Sequence, residues 1–157
     1  MGSSLTTATL TVTTTEAITL NTVDRGSSAV KAISGIGNIH HTYLTIPADT
    51  ETIIYETHGS TIKGSTFDRD FVKYVRMTNK DGVTGLNLLI SNGNPDCAWY
   101  VLGPGESLLL WDHASSFDAA AADIAEGAMA LADIEKVEAS GEGAVVDMEL
   151  YIACSVA

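Results

Sequence analysis

Trp99-Tyr100-Val101-Leu102-Gly103-Pro104-Gly105-Glu106-Ser107-Leu108-Leu109-Leu110-Trp111 is the stretch that decides the fold class. Two short apolar runs flank Gly-Pro-Gly-Glu, a turn that no helix could cross. Gly103 and Gly105 can take positive φ without a Cβ clash, and Pro104 fixes φ near the value a turn corner needs. Both tryptophans of the chain flank this one turn. The segment predicts a β-hairpin or a strand-to-strand corner inside an all-β domain.

Short strand candidates extend outward from it in both directions. Phe71 to Thr78 alternates, with Phe71, Lys73, Val75 and Met77 on one face and Val72, Tyr74, Arg76 and Thr78 on the other. Asn79-Lys80-Asp81-Gly82 reads as a turn with Gly82 at the left-handed position. Leu86 to Ile90 is a strand that ends in Ser91-Asn92-Gly93-Asn94-Pro95-Asp96. Upstream, Ala29 to Ile33 precedes a break at Gly35-Ile36-Gly37. His41-Tyr43-Thr45 alternate with Thr42-Leu44-Ile46 up to Pro47, and Thr52 to Thr57 follows. Residues 131–139 and Val145 to Ala153 supply closing strands around the Gly141-Glu142-Gly143 turn. Between 112 and 130, Phe117, Ala120, Ala121, Ile124, Ala125 and Ala128 fall near helical spacing with Ser115 or Ser116 as N-cap, so a helical turn is expected over an Ala-rich loop.

The predicted fold is therefore all-β, an antiparallel β-sandwich or jelly roll with a short helical or Ala-rich insertion near 115–130. Residues 5–22 hold nine threonines. β-Branched residues alternating with Leu10, Val12, Ile18 and Leu20 favour extended chain. Residues 1–25 are accordingly expected to form a Thr-rich arm or edge strand, open to adding onto a neighbour's sheet. Residues 26–157 form a single sandwich domain, long enough to bury roughly two-thirds of its unfolded surface.

Charge divides the chain. Residues 1–80 hold seven acids and seven bases, whereas residues 81–157 hold thirteen acids and one base, Lys136, so the whole net charge of −12 lies in the second half. An acidic half repels phosphate backbones and anionic lipid, which argues against nucleic-acid and membrane partners. The N-terminus lacks the basic and apolar regions of a signal peptide, and no run approaches the ~18 apolar residues of a membrane span. Met1-Gly2-Ser3-Ser4-Leu5-Thr6 fits a loose myristoylation pattern, but no basic cluster follows as a second anchoring signal. Cys97 and Cys154 lie in apolar runs and are expected as free buried thiols, consistent with synthesis in a reducing cytoplasm.

His40 and His41 point to opposite faces of a strand and cannot chelate together; His58 is expected in a loop and His113 beside Asp112. No metal-ligand spacing connects them. Gly35-Ile36-Gly37 lacks a third glycine and a following helix, so it reads as a turn and not a nucleotide fingerprint. Asp68 with Asp70, and Asp147 with Glu149, have strand-like spacing that acid–base catalysis could use, but solvated acids are the expected state. Met148, Leu150 and Ile152 form the buried face of that last strand, which leaves Asp147 and Glu149 outward. Asn92-Gly93-Asn94-Pro95-Asp96 lacks the central glycine and distal glutamate of a calcium loop. Tyr43, Tyr55 and Tyr74 are the candidate carbohydrate stackers. No catalytic residue, cofactor or metal is expected.

Three segments carry a family resemblance: Val75-Arg76-Met77-Thr78-Asn79-Lys80-Asp81-Gly82, then Trp99-Tyr100-Val101-Leu102-Gly103-Pro104-Gly105-Glu106-Ser107, then Val146-Asp147-Met148-Glu149-Leu150-Tyr151-Ile152-Ala153. In that order they resemble small β-sandwich virion proteins of tailed phages, over about half of the chain from Phe71 onward. The resemblance implies a non-enzymatic structural role in the virion. It implies first a capsid decoration (cement) protein, a homo-oligomer and commonly a trimer, that bridges copies of the major capsid protein on the capsid surface. A tail- or fibre-associated protein is the alternative within that class, and a carbohydrate-binding β-sandwich module the alternative outside it.

Overall fold

The turn after residue 102 is a type II turn. Glu106 N–H donates to the Gly103 carbonyl at 3.1 Å, Pro104 holds the second position, and Gly105 holds the third with φ +74. Glu106 closes it from both sides, because its Oε2 also accepts from Gly103 N–H at 2.9 Å. In this computed structural model, which describes residues 6–58, 67–68, 70–92, 97–111, 116–118 and 128–156, the turn joins two different sheets and is a corner, not a hairpin.

The strands run β1 (Ala8–Glu16), β2 (Thr19–Leu20), β3 (Val23–Asp24), β4 (Ser27–Ile46), β5 (Thr52–His58), β6 (Phe67–Asp68) and β7 (Val72–Asn79). They continue as β8 (Leu86–Ser91), β9 (Cys97–Leu102), β10 (Ser107–Trp111), β11 (Ser116–Asp118), β12 (Ala128–Ala130), β13 (Lys136–Gly141) and β14 (Val146–Ser155). One five-stranded sheet has the order β1-β4-β14-β7-β10 and the other β6-β5-β13-β8-β9. Without the outer β1 and β6, two four-stranded sheets remain, β4-β14-β7-β10 and β5-β13-β8-β9. The chain crosses between them at 46–52, 79–86, 102–107 and 141–146, and again between β5 and β7 and between β10 and β13, which is the winding of a jelly roll. The all-β sandwich expected from the sequence is the fold.

Strand alternation builds the core. Val146, Met148, Leu150 and Ile152 point inward from β14 and meet Leu86, Leu88 and Ile90 of β8 and Val137 of β13 across the sandwich. Each such fully buried side chain contributes roughly 1.5–3 kcal/mol of hydrophobic stabilisation. Val72 joins this core although alternation puts it on the opposite face. A bulge explains the change: Ala153 pairs with Tyr74 but Cys154 pairs with Val72, so the register shifts past Lys73.

Asn79 fastens the two sheets at one end. It is fully buried, and its Nδ2 donates to the Thr84 carbonyl at 2.8 Å and the Leu102 carbonyl at 3.1 Å. Its Oδ1 accepts from Asp81 N–H at 2.9 Å. Asp81 then shapes the loop: its Oδ1 accepts from the N–H groups of Val83 and Thr84, both at 2.7 Å. Those N–H groups, Thr84 first, hold the Asp81 carboxyl below its ordinary range. Gly82 does not take the left-handed conformation expected of it; among the described residues the positive-φ glycines are Gly35, Gly105 and Gly143. Asp81 supplies the turn chemistry instead.

Two further expectations are corrected. Gly35-Ile36-Gly37 is not a turn, because β4 runs through it as one 20-residue strand. Gly35, at φ +75, marks a bulge where the β1–β4 register shifts between Ala8 and Leu10. In the 112–130 region, Ser116–Asp118 and Ala128–Ala130 form an antiparallel pair where helical spacing was expected. The rest of that insertion, including Ala120, Ala121, Ile124 and Ala125, lies outside the described residues. Leu131–Asp133 is a single 3₁₀ turn.

Candidate docking surfaces

β4 has different neighbours along its length. Ile36 to Ile46 pairs with β14, while Ser27 to Ile36 pairs with β1. The first half of β4 and the whole of β1 therefore form a two-stranded ribbon that continues past the end of β14. Its root is anchored, with Ile33 and Ile36 buried against Tyr74 and Ala153 on the outer face of the first sheet. Beyond the root, the ribbon displays Ile18 (55 % exposed), Leu20 (57 %), Val23 (49 %) and Val30 (66 %). A two-stranded ribbon is marginal by itself in water, and this one leaves its apolar side chains uncovered in the isolated chain.

At the ribbon tip β2 and β3 pair Leu20 with Val23 around a two-residue loop. Asn21 (φ 51) and Thr22 (φ 63) both take left-handed backbone, the type I′ geometry. Asparagine tolerates this conformation, whereas β-branched Thr22 is strained by roughly 1–2 kcal/mol. Thr22→Gly is expected to slow amide exchange at Arg25, whose N–H bonds the Ile18 carbonyl at 2.8 Å. The expected factor is about fivefold, the equivalent of ~1 kcal/mol of relieved strain, and unchanged exchange would show the loop to be relaxed.

The second surface is the edge formed by β9. This strand bonds β8 on one side and ends its sheet on the other. Trp99, Tyr100 and Val101 are 61 %, 42 % and 58 % exposed. Cys97–Leu102 carries neither charge nor proline, the devices that normally guard an open edge. Cys97 was expected buried and is exposed, because a strand at a sheet edge has one neighbour to cover it. Cys154, on central β14, is buried as expected, and burial pushes its thiol up to about 11. At pH 8 a thiol reagent is therefore expected to modify one sulfur rapidly and the second only on unfolding. Two fast equivalents would contradict this assignment.

The sequence candidates for chemistry fall elsewhere. His40 and His41 do diverge: His40 meets Phe67 edge-on with centroids 5.5 Å apart, and His41 Nε2 lies 2.8 Å from Glu149 Oε1. His58 ends β5 and does not lie in a loop; His113 is outside the described residues. Asp68 and Asp70 do not present paired carboxylates, since Asp68 Oδ1 accepts from Asp70 N–H at 3.1 Å and closes a local turn. Asp147 is exposed and accepts from Thr45 Oγ1 at 2.7 Å. Glu149, expected to be solvated, is only 9 % exposed. It accepts from the Arg76 guanidinium and has Lys80 Nζ 4.0 Å from its other oxygen. Arg76 in turn lies over the Tyr151 ring at 5.7 Å. This is an ion-pair cluster with its carboxylate already engaged. Tyr55 and Tyr74 are buried, which leaves Tyr43 as the one exposed residue of the three candidate stackers. Of the Asn92–Asp96 turn, only Asn92 lies within the described residues. Among those residues no group of three His, Cys, Asp or Glu side chains is placed to hold a metal ion.

No family model matches the chain, and no curated protein matches it. A chain from a solved structure of Bacillus endospore appendages, described as a family of disulfide-linked pili, is similar at a TM-score of 0.40 and 13 % identity. The match covers 76 % of this chain and 89 % of that one. Similarity at that level says nothing about function.

Proposed function

We propose that this chain is a structural protein of a tailed-phage virion, a capsid decoration protein that bridges and stabilises copies of the major capsid protein. The observation that carries the reading is the β1–β4 ribbon, an extension of the jelly roll that leaves Ile18, Leu20, Val23 and Val30 exposed beyond its anchored root. The charge division supports it: the ribbon is neutral, and the acidic half forms most of the sandwich. In this reading the ribbon packs on or between capsid subunits and the acidic half faces solvent. The resemblance of the segments from Val75 onward to phage virion proteins supplies the particle. Cementing requires contact area distributed over several subunits, and multivalent attachment multiplies modest contacts without new chemistry.

Electron microscopy of particles, paired with gel densitometry of purified virions, tests the proposal. Tens to hundreds of copies on the shell are expected. Substituting both Leu20→Asp and Val23→Asp, exposed positions with no core role, is expected to lower occupancy at least tenfold. A bare shell would end the decoration reading, and a few copies per particle at one vertex would move the protein to the tail.

A further inference from the structure

We infer that copies of this chain associate head to tail, the β1 edge of one ribbon adding to the β9 edge of the next copy. Both are terminal strands of their sheets, β1 in one and β9 in the other. Both lack the guards of a solitary edge: β1 has one charged residue, Glu16 at its end, and β9 has none. Strand addition satisfies the free backbone groups of both edges at once.

Charge favours this pairing over the others. The ribbon is neutral, its Arg25 and Lys31 balanced by Glu16 and Asp24. The Leu102 end of β9 is flanked by Glu106 and Glu142. A Cβ on Gly85 would meet Glu142 Oε2 at 2.6 Å and Val101 Cγ1 at 3.6 Å, which places that carboxylate near the Leu102 end of β9. Two sandwiches meeting face to face would oppose acidic halves of net −12 each. Two ribbons meeting β1 to β1 would leave Trp99 and Val101 uncovered. The head-to-tail contact covers Trp99 and Val101 and sets a neutral edge against an acidic one, so no two acidic surfaces are opposed. Such a heterologous contact closes into a ring or continues as a filament. It is a property of the isolated chain and independent of where in a particle the protein sits.

Cross-linking of the purified protein tests it with the native Cys97 as reporter. Thr9→Cys, Thr11→Cys and Thr13→Cys place thiols along the exposed face of β1. Under mild oxidation at least one is expected to give disulfide-linked multimers that Cys97→Ser abolishes. Trp99→Lys is expected to weaken association at least tenfold in sedimentation while leaving the thermal midpoint unchanged. Cross-links that persist in Cys97→Ser would show β1-to-β1 pairing and overturn the inference. So would a protein that stays monomeric to about 100 μM, or three cysteine variants that all fail to cross-link. Each of those failures leaves attachment to a capsid standing, because shell occupancy is measured separately.

Discussion

Asn79→Leu is expected to lower the unfolding free energy by about 3 kcal/mol, read as a shift of the denaturant midpoint at constant slope. Leucine has the branched shape of asparagine and is larger, so the loss comes from hydrogen bonding and crowding and not from a cavity. It strips a donor from the buried Leu102 carbonyl and the part-buried Thr84 carbonyl, and an acceptor from the part-buried Asp81 N–H. An unsatisfied buried group costs about 1–3 kcal/mol, and the two part-buried groups add a smaller share. Asn79→Asp is a sharper probe, because it keeps the acceptor while turning a carboxylate toward two carbonyl oxygens. Its cost is expected to equal or exceed that of leucine. A change below about 1 kcal/mol in both variants would mean that the corner is held elsewhere, by Glu106 and its backbone bonds to Gly103 and Asn79.

Glu149→Ala is expected to cost about 2 kcal/mol, less than the full penalty for breaking a buried pair because Arg76 is a third exposed. The alanine variant leaves Arg76 and Lys80 without their carboxylate on a face that also holds His41. The double variant Arg76→Met with Glu149→Leu is expected to recover most of the loss. Desolvating an ion pair consumes much of its Coulomb energy, and apolar residues of similar volume do as well. A double variant as unstable as the single one would show that Arg76 contributes through its packing on Tyr151 rather than through charge.

These two residues also show what a linear sequence can reveal. Pro104 and Gly105 announce a type II turn because turn chemistry is local, and the alternation of β14 is local too. Glu149 occupies an outward position, as its alternation requires, yet it is covered by His41 and Arg76, 108 and 73 residues away. Nothing near Glu149 in sequence records those partners. Val72 defeats alternation because a bulge at Lys73 in its own strand resets the face, and a bulge leaves no residue signature there. Gly35 and Gly37 mislead for a different reason: a turn and a strand bulge both call for glycine. Cys97 reads as buried by residue type, but its exposure depends on β9 lying last in its sheet, and sheet order is set by the whole chain.

The unbroken course of β4 has a mechanical meaning. A pull applied at the ribbon tip enters the sandwich along the axis of a strand that pairs with β14 at nine successive positions, from Asn38–Cys154 to Ile46–Val146. Load along that axis acts on the ladder in shear, so many backbone hydrogen bonds resist together instead of peeling apart singly. The junction at Gly35 can bend without interrupting that path. A shell protein held by such a strap would yield in direction before it yielded in strength.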